Sequence, residues 1–417
     1  MPPGTRWVVI GLACFLASAG VLLGTRLVTN AYTGDLGEAQ PPGAVLDANA
    51  VSSADGATSA DRRVAGSTRL VAVTPKVLLD SREVGALPAG TDVIVPMPPL
   101  PDGTRDVLVE VSILAAKGPG EVAVGQAQDR TTALTVAKSK AQQSATVAAR
   151  LDDDGSLRVA ATGGGDLLVR LVGAFEPVER SGAGRVVTVP ATQVVRLVTA
   201  TQGKTASFAI ADVSQLAAAG PISAVLLQVA ADVGPKGGLV SVGRSPTELD
   251  QTVYWSATSG TDRTRHGLLF VPVSEGTIHL RYEAGTELRA DLVGYVTGDG
   301  APEEVAGLVA PVSGPAADPA PVAAGSGVQI SVAFAAEAVD VPADRIGAAL
   351  TTVTVNGDGG GEATVGSSGA PTLNLTVLAG AARSASVLVD TPEAAVRVDS
   401  SVSATVTVTP RVLILTG

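Results

Sequence analysis

The chain has 417 residues and a formal net charge of −11, which removes the electrostatic attraction behind most non-specific nucleic-acid binding and argues equally against anionic lipid headgroups as partners. Hydrophobic residues make up 46% but aromatic ones only 3%, so the core has to be built from Val, Leu, Ala and Ile, and the wealth of Val and Thr favours strands over helices. Cysteine occurs once, at Cys14, which excludes an intramolecular disulfide and leaves packing alone to hold the folded part together, as domains above about 100 residues allow.

At the N-terminus Arg6 precedes an uncharged apolar run over residues 7–24, followed by Thr25 and Arg26. The run is longer than the apolar region of a signal peptide and reaches the lower range of a transmembrane helix. Residues 1–32 therefore read as a membrane-targeting segment. An uncleaved anchor with the N-terminus inside and the bulk outside is favoured by the charges flanking the run. Cleavage after Ala31, which would release the protein, stays open as the alternative. Cys14 lies in the middle of the run, where Gly11 breaks a lipobox, and reads as one more apolar residue. Residues 33–66, rich in Gly, Ala, Ser, Asp and Pro without strand or helix period, read as a flexible stalk.

After the stalk one pattern of about 120 residues is written three times, too long a period for a solenoid, so each copy should be a domain with its own core. VLVEVSILAAKGPGEVAVG (107–125) returns as VLLQVAADVGPKGGLVSVG (225–243) and ALTTVTVNGDGGGEATVG (349–366). GSLRVAATGGGDLLVRLVG (155–173) returns at equal spacing as GTIHLRYEAGTELRADLVG (276–294). The copies occupy residues 67–178, 184–297 and 303–417. Within them apolar residues recur at every second position, as at Val107, Val109, Val111 and Ile113 or Ile278, Leu280 and Tyr282, the period of half-buried strands. Turn signals at Gly118-Pro119-Gly120, Asp154-Gly155, Gly237-Gly238 and Gly357-Asp358-Gly359 separate them. The expected fold class is all-β: three tandem β-sandwich-like, or barrel-like, modules. Val213–Ala219 and Pro342–Ala349 align with Pro98–Thr104 as a connecting segment with at most one helical turn. The short polar linkers at 176–185 and 297–307 predict a rod-like tandem with limited bending. The third copy, though its ends diverge, is expected to fold like its sisters.

VTPKVLLDSR (73–82), LPAG (87–90) and the closing DLLVRLVGAF (166–175) of the first module resemble the repeat of secreted actinobacterial, cell-wall-associated proteins that opens on an LLDTR-like motif and closes on a DVVGYF-like one. The second module keeps the close as DLVGYV (291–296) and replaces the opening with Gln193-Val194-Val195-Arg196-Leu197; the third keeps only PTLNLTVLAG (371–380). The resemblance implies an extracellular accessory module, found beside catalytic domains or alone, with no established activity of its own.

Few residues suggest chemistry. The two histidines, His266 and His279, stand without metal-ligand spacing, and no nucleophile elbow is present, so neither a metal site, a cofactor nor a catalytic centre is expected. His279 shares a strand face with Thr277 and Arg281 and reads as exposed. Asp152-Asp153-Asp154-Gly155 lacks the ligand spacing of a calcium loop and reads as a tight Asp-Gly hairpin. Asp80 and Arg82, two apart on a strand, are expected to pair. Aromatics and cations gather only at Tyr254, Trp255, Arg263, Arg265 and His266, the one candidate ligand-binding surface, suited to stacking on a sugar. The reading is a non-enzymatic exported surface or envelope protein, structural or adhesive. Its alternatives are a cell-wall polysaccharide-binding module acting through the second copy, and an accessory to an envelope glycan-assembly or hydrolase system, with polysaccharide or envelope proteins as partners.

Overall fold

The computed structural model describes residues 66–136, 142–178, 182–198, 204–233, 238–243, 251–255, 264–273, 276–283, 285–303, 306–314, 316–367, 370–377, 379–380, 382–391 and 393–417. The anchor expected over 1–32 and all but the last residue of the stalk lie outside them. No helix among the described residues is long and apolar enough to cross a membrane.

The first copy contributes β1 (Thr68–Asp80), β2 (Thr91–Val95), β3 (Asp106–Ala116), β4 (Gly120–Gly125), β5 (Arg130–Val136), β6 (Gln143–Arg150), β7 (Leu157–Ala161) and β8 (Gly165–Pro177). The second contributes β9 (Val186–Val198), β10 (Lys204–Ala209), β11 (Ile222–Val233), β12 (Gly238–Gly243), β13 (Gln251–Trp255), β14 (Thr264–Pro272), β15 (Thr277–Glu283) and β16 (Gly285–Thr297). The third contributes β17 (Val309–Pro311), β18 (Ala320–Val322), β19 (Ser326–Ser331), β20 (Ile346–Gly357), β21 (Gly361–Ser367), β22 (Ala370–Val377), β23 (Ala382–Asp390), β24 (Ala395–Ser400) and β25 (Ala404–Leu415).

These strands form antiparallel sheets that pair off in a repeated order. The outer sheets run β2-β7-β4-β5, β10-β15-β12-β13 and β19-β24-β21-β22; the inner ones run β1-β8-β3-β6, β9-β16-β11-β14 and, joined to the first through β17, β17-β25-β20-β23. In each copy the chain alternates between its two sheets in the order of an eight-stranded jelly roll. The third copy, in which β17 and β18 both pair with β25, follows the same course.

The alternation read from the sequence explains only one face of the inner sheets. Val107, Val109 and Val111 point into the core between β3 and the outer sheet, together with Val122, Leu157 and Val169. The intervening Leu108 is equally buried, at 0% exposure, but on the opposite face. Strand β3 is buried along nearly its whole length on both faces, whereas the outer β7 alternates buried and half-buried residues. The second face of each inner sheet packs on the other two copies. Leu108, Leu226 and Leu350 meet there with Ala148, Phe270 and Leu388 and with Leu70, Val186 and Val309 in one cluster. Each of these triplets occupies one equivalent position in the three copies. Full burial of such a side chain is worth about 1.5–3 kcal/mol, so the shared cluster stabilises the assembly of copies as strongly as a small domain core would.

This overturns the rod. The copies close around a common pseudo-threefold axis, and Ser59–Gly417 forms one compact unit. The linkers expected as hinges are stitched into it. Leu70 N donates to Gly184 O, Val186 N donates to Gly307 O, each at 2.9 Å or less, and Thr68 pairs with Val309 to close the ring. Gly184 and Gly307 both adopt positive φ, +78° and +83°, where a β-carbon would be strained.

The small elements follow the expectation in part. Single turns occur at Ile210–Asp212 and Ser214–Ala217 and at Ala343–Arg345, while Ala333–Ala338 is a short helix that the sequence reading does not contain. Asp80 and Arg82 do pair, with Arg82 Nε donating to Asp80 Oδ1 at 2.9 Å. They do so on a helical turn, Ser81–Val84, that Asp80 caps by accepting from Arg82 N. The bond from Arg82 holds the Asp80 carboxyl below the usual carboxylate range. Asp152–Gly155 is a turn, closed by Gly155 N donating to Asp152 O at 2.8 Å. It is not a hairpin, because β6 and β7 on either side belong to different sheets.

Candidate functional site

The edge strands of the three inner sheets, β6, β14 and β23, contact one another pairwise along the axis. Register fixes their equivalence. Val111 lies opposite Ala145, Val229 opposite Gly267, and Val353 opposite Ala385. One residue earlier stand Ser144, His266 and Ser384, and before them Gln143, Arg265 and Arg383. These six residues are among those that line one small cavity of about 30 Å³.

Below the cavity the axis carries a polar layer. Arg170 NH1 donates to Glu110 Oε2 at 3.1 Å in a fully buried pair. At the equivalent position of the second copy Gln228 donates to Gly267 O at 3.1 Å. In the third, Arg411 Nε donates to Thr352 Oγ1 at 3.1 Å and its NH2 reaches across to Thr132 O of the first copy at 2.6 Å. Thr146 N donates to Ser386 Oγ at 2.7 Å, a further bond between first and third copies. Every copy thus commits polar groups to the axis beside its apolar ones, and the cavity is the end of that column.

The cavity walls differ among the copies in one decisive way. In the first, Ser144 Oγ bonds Ser112 Oγ at 2.8 Å; in the third, Ser384 Oγ bonds Thr354 Oγ1 at 2.8 Å. In the second, His266 stands opposite Ala230, which has no side-chain partner to offer. Both ring nitrogens of His266 are shielded from solvent and make no hydrogen bond. An unsatisfied buried polar group costs about 1–3 kcal/mol. Burial, reinforced by the charge of Arg265, pushes the imidazole pKa from 6.5 down to about 4, so the ring is neutral at neutral pH with one donor and one acceptor nitrogen. Burial also holds the Arg265 and Arg383 guanidiniums below their ordinary value. Arg265 NH1 donates to its neighbour's carbonyl, Thr264 O, at 3.0 Å, and no carboxylate occurs among the described lining residues. The arrangement places two guanidiniums and an imidazole around one cavity.

The structure distributes the sequence-predicted site residues over two sheets. Tyr254 and Trp255 lie on β13, the edge strand of the outer sheet, paired with Leu239 and Gly238 of β12. Arg265, 6% exposed, and His266 begin β14 of the inner sheet at the axis rather than on the outer surface. Arg263 lies outside the described residues. His279, on β15 between Ser207 and Gly243, is half-buried. Gln143, Ser144, Arg383 and Ser384 carry no local motif that marks them as site residues. Only an alignment by strand register, which loops of unequal length obscure, brings them beside His266.

Two larger openings follow the seams between copies. One, of about 630 Å³, runs between β5 and the inner sheet of the third copy, with Thr352, Thr354, Thr407 and Thr409 along it and Arg411 at its floor. The other, of about 430 Å³, lies between the second and third copies, lined by Arg185, Tyr295 and small residues such as Ala218 and Gly347. Among the described residues no group of three or more His, Cys, Asp or Glu is placed to hold a metal ion.

No protein-family model and no curated protein matches the chain. Among solved structures, one described by the triple jelly-roll fold and turret assembly of an archaeal virus aligns over 85% of this chain and 90% of its own, at 11% identity and a TM-score of 0.17. An uncharacterized protein of Listeria monocytogenes aligns over 50% of this chain at 11% identity and a TM-score of 0.17, and the chain spans only 19% of that protein. The structure of infectious bursal disease virus aligns over 84% of this chain and 77% of its own, at 11% identity and a TM-score of 0.16. Superpositions this loose establish no common fold and assign no activity; the jelly-roll order follows from the strand pairings of this chain alone.

Proposed function

We propose that the chain is a non-enzymatic exported protein of the cell surface or envelope, three tandem copies of one β module that act together as a structural or adhesive element, tethered through residues 7–24 or released by cleavage after Ala31. The observation that carries this reading is the use of the two sheets. Each copy commits its inner sheet to the shared axis, which leaves three outer sheets of like topology as the outward face of one compact unit. Such a body presents repeated surfaces at fixed spacing, which suits multivalent attachment, where linked weak contacts reinforce one another.

Polysaccharide binding through the second copy is the second reading. It is favoured by the position of Tyr254 and Trp255 next to each other on an edge strand of an outer sheet. Both readings are tested by incubating Ser59–Gly417 and its Trp255→Ala variant with purified actinobacterial envelope fractions. Saturable binding lost in the variant supports the polysaccharide reading. Saturable binding retained in the variant supports adhesion through other surfaces. Absence of binding to every fraction refutes the adhesive and polysaccharide roles and leaves a spacer.

A further inference from the structure

The second copy departs from its sisters at three neighbouring positions of the axial column. Where the first and third close hydroxyl pairs, Ser112 with Ser144 and Thr354 with Ser384, it sets His266 opposite Ala230. Where they continue with Ala145 and Ala385, opposite Val111 and Val353, it has Gly267, opposite Val229. A core that needed only to be filled gains nothing from this exchange. It replaces a satisfied pair by two ring nitrogens without hydrogen bonds, and it puts a glycine, which weakens a strand, into the strand interior.

The place of these residues on β14 gives the exchange a use. Only Thr264 and Arg265, opposite Asp232 and Ala231, precede His266 on the ladder to β11. Just after Gly267, Leu268 and Phe270 are anchored in the axial cluster, and Gly267 O is itself held by Gln228. Thr264–His266 is therefore a short tab, laid against β6 and β23 of the other two copies and joined to a fixed base through a glycine, whose backbone absorbs a change of direction at least cost. His266 is half-buried as a whole, with its shielding concentrated on the two nitrogens, so water is close at hand when the tab lifts.

We infer that His266 is an acid-operated catch: protonation of its imidazole lifts Thr264–His266 off β6 and β23 about Gly267, while the apolar cluster keeps the three copies together. The charged groups placed to act on the ring are Arg265 beside it on β14, Arg383 on β23 and Asp232 on β11, at the next position of the same face. Beyond the small Ala230 stands Arg289 of β16, itself paired with Asp291. The described residues of β6 and β22 that line the cavity are neutral. Burial first, and then the charge of Arg265, hold the ring pKa at about 4 against an ordinary 6.5. The closed tab thus prefers the neutral ring and the lifted tab binds the proton more readily, so closure is full above pH 6.5 and is lost as pH falls toward 4. Between pH 7 and 4.5 the ratio of closed to lifted tab drops by about 60-fold. Lifting uncovers Arg265 and Gln143, both buried in the closed form, so the acid form presents at the end of the axis polar groups that the neutral form hides.

The test uses the full chain and amide hydrogen exchange, with each rate divided by the intrinsic rate at the same pH. Protection over Thr264–Gly267 is expected to fall by about 60-fold between pH 7 and 4.5, while that over Leu268–Val271 holds. The double variant Ala230→Ser, His266→Ser, which rebuilds the serine pair of the first copy, should keep its protection at both pH values. Equal protection of the native tab at the two pH values overturns the inference, as does an equal loss in the double variant. A loss shared by Leu268–Val271 also overturns it, because the whole copy would then be unfolding. A second readout needs no variant: in the labelled native chain the Gly267 amide resonance should move with the midpoint at which the His266 ring titrates. A Gly267 amide indifferent to that titration overturns the hinge.

Discussion

Leu108→Ala tests whether the three copies unfold as one body. Leu108 is fully buried in the cluster around the axis, where it meets Leu226 and Leu350 of the other copies. Removing three buried carbons from such a site leaves a cavity that the surrounding strands fill only in part. Losses of 2–5 kcal/mol are general for a buried Leu→Ala, and about 3 kcal/mol is the expectation for a site walled by three sheets. With a urea slope of about 3 kcal/mol/M or more for a unit of this size, the midpoint falls by up to about 1 M. Trp255 makes the experiment specific. The chain has two tryptophans, Trp7 and Trp255, so in Ser59–Gly417 fluorescence reports the second copy alone while circular dichroism reports all three. The substitution sits in the first copy. If the shared core couples them, fluorescence and dichroism move to lower urea together and remain coincident, as a two-state unit requires. A Trp255 transition left in place while the dichroism splits into two steps would refute the shared core and restore independent beads.

Other outcomes follow from the axis and the linkers. Glu110→Ala leaves Arg170 buried without its carboxylate and should cost about 3–5 kcal/mol, whereas Glu110→Leu with Arg170→Met should restore most of that stability in the same urea titration. Gly184→Ala and Gly307→Ala place a β-carbon 3.0 Å from Leu70 O and 2.8 Å from Val186 O at positive φ, and each should cost about 1–3 kcal/mol. Gly220→Ala, at φ +75° in open space, should cost about 1 kcal/mol. For His266 the sign is set by a folded pKa of about 4, below the ordinary 6.5. The unfolded chain therefore binds more protons between these values, and stability is full above pH 6.5 and is lost as pH falls toward 4. Over that window the loss amounts to roughly 3 kcal/mol. Urea midpoints at pH 7 and 4.5 should differ by less in His266→Ser than in the native sequence; an identical difference refutes the burial of the ring.

How much of this was legible in the sequence can be seen at residues 107–111. The alternation of Val107, Val109 and Val111 announces a strand and its core face, and the repetition of that run announces three copies. Leu108 breaks the alternation, as do Leu226 and Leu350 at the same place in the other copies. A strand apolar at the intervening position is buried on both faces, so the shared core was written in the residues that the period-two reading passed over. Their message was masked by the next intervening position, where Glu110, Gln228 and Thr352 look solvent-exposed and are in fact buried. The cavity was legible only as the oddity of Arg265 and His266. Their nearness in sequence to Tyr254 and Trp255 suggested one surface, but the chain changes sheets between β13 and β14.

The same comparison explains what is gained by joining three copies in one chain. A trimer of identical subunits would place three identical residues at each level of the axis. Three arginines within one small cavity would repel, and three histidines facing three alanines would leave six buried nitrogens unsatisfied. In a single chain each copy can differ at the axis while keeping the inner sheet that packs there. Two copies close their hydroxyl pairs and one, through Ala230 and His266, opens a space with a directed donor. Gln143 interrupts what would otherwise be a ring of three guanidiniums. The apolar level of Leu108, Leu226 and Leu350, by contrast, is uniform, because packing tolerates and even favours identical side chains where charge does not. Divergence of the copies is thus expected to concentrate at polar axial positions and on the outward faces, the two places where threefold identity is either costly or without benefit.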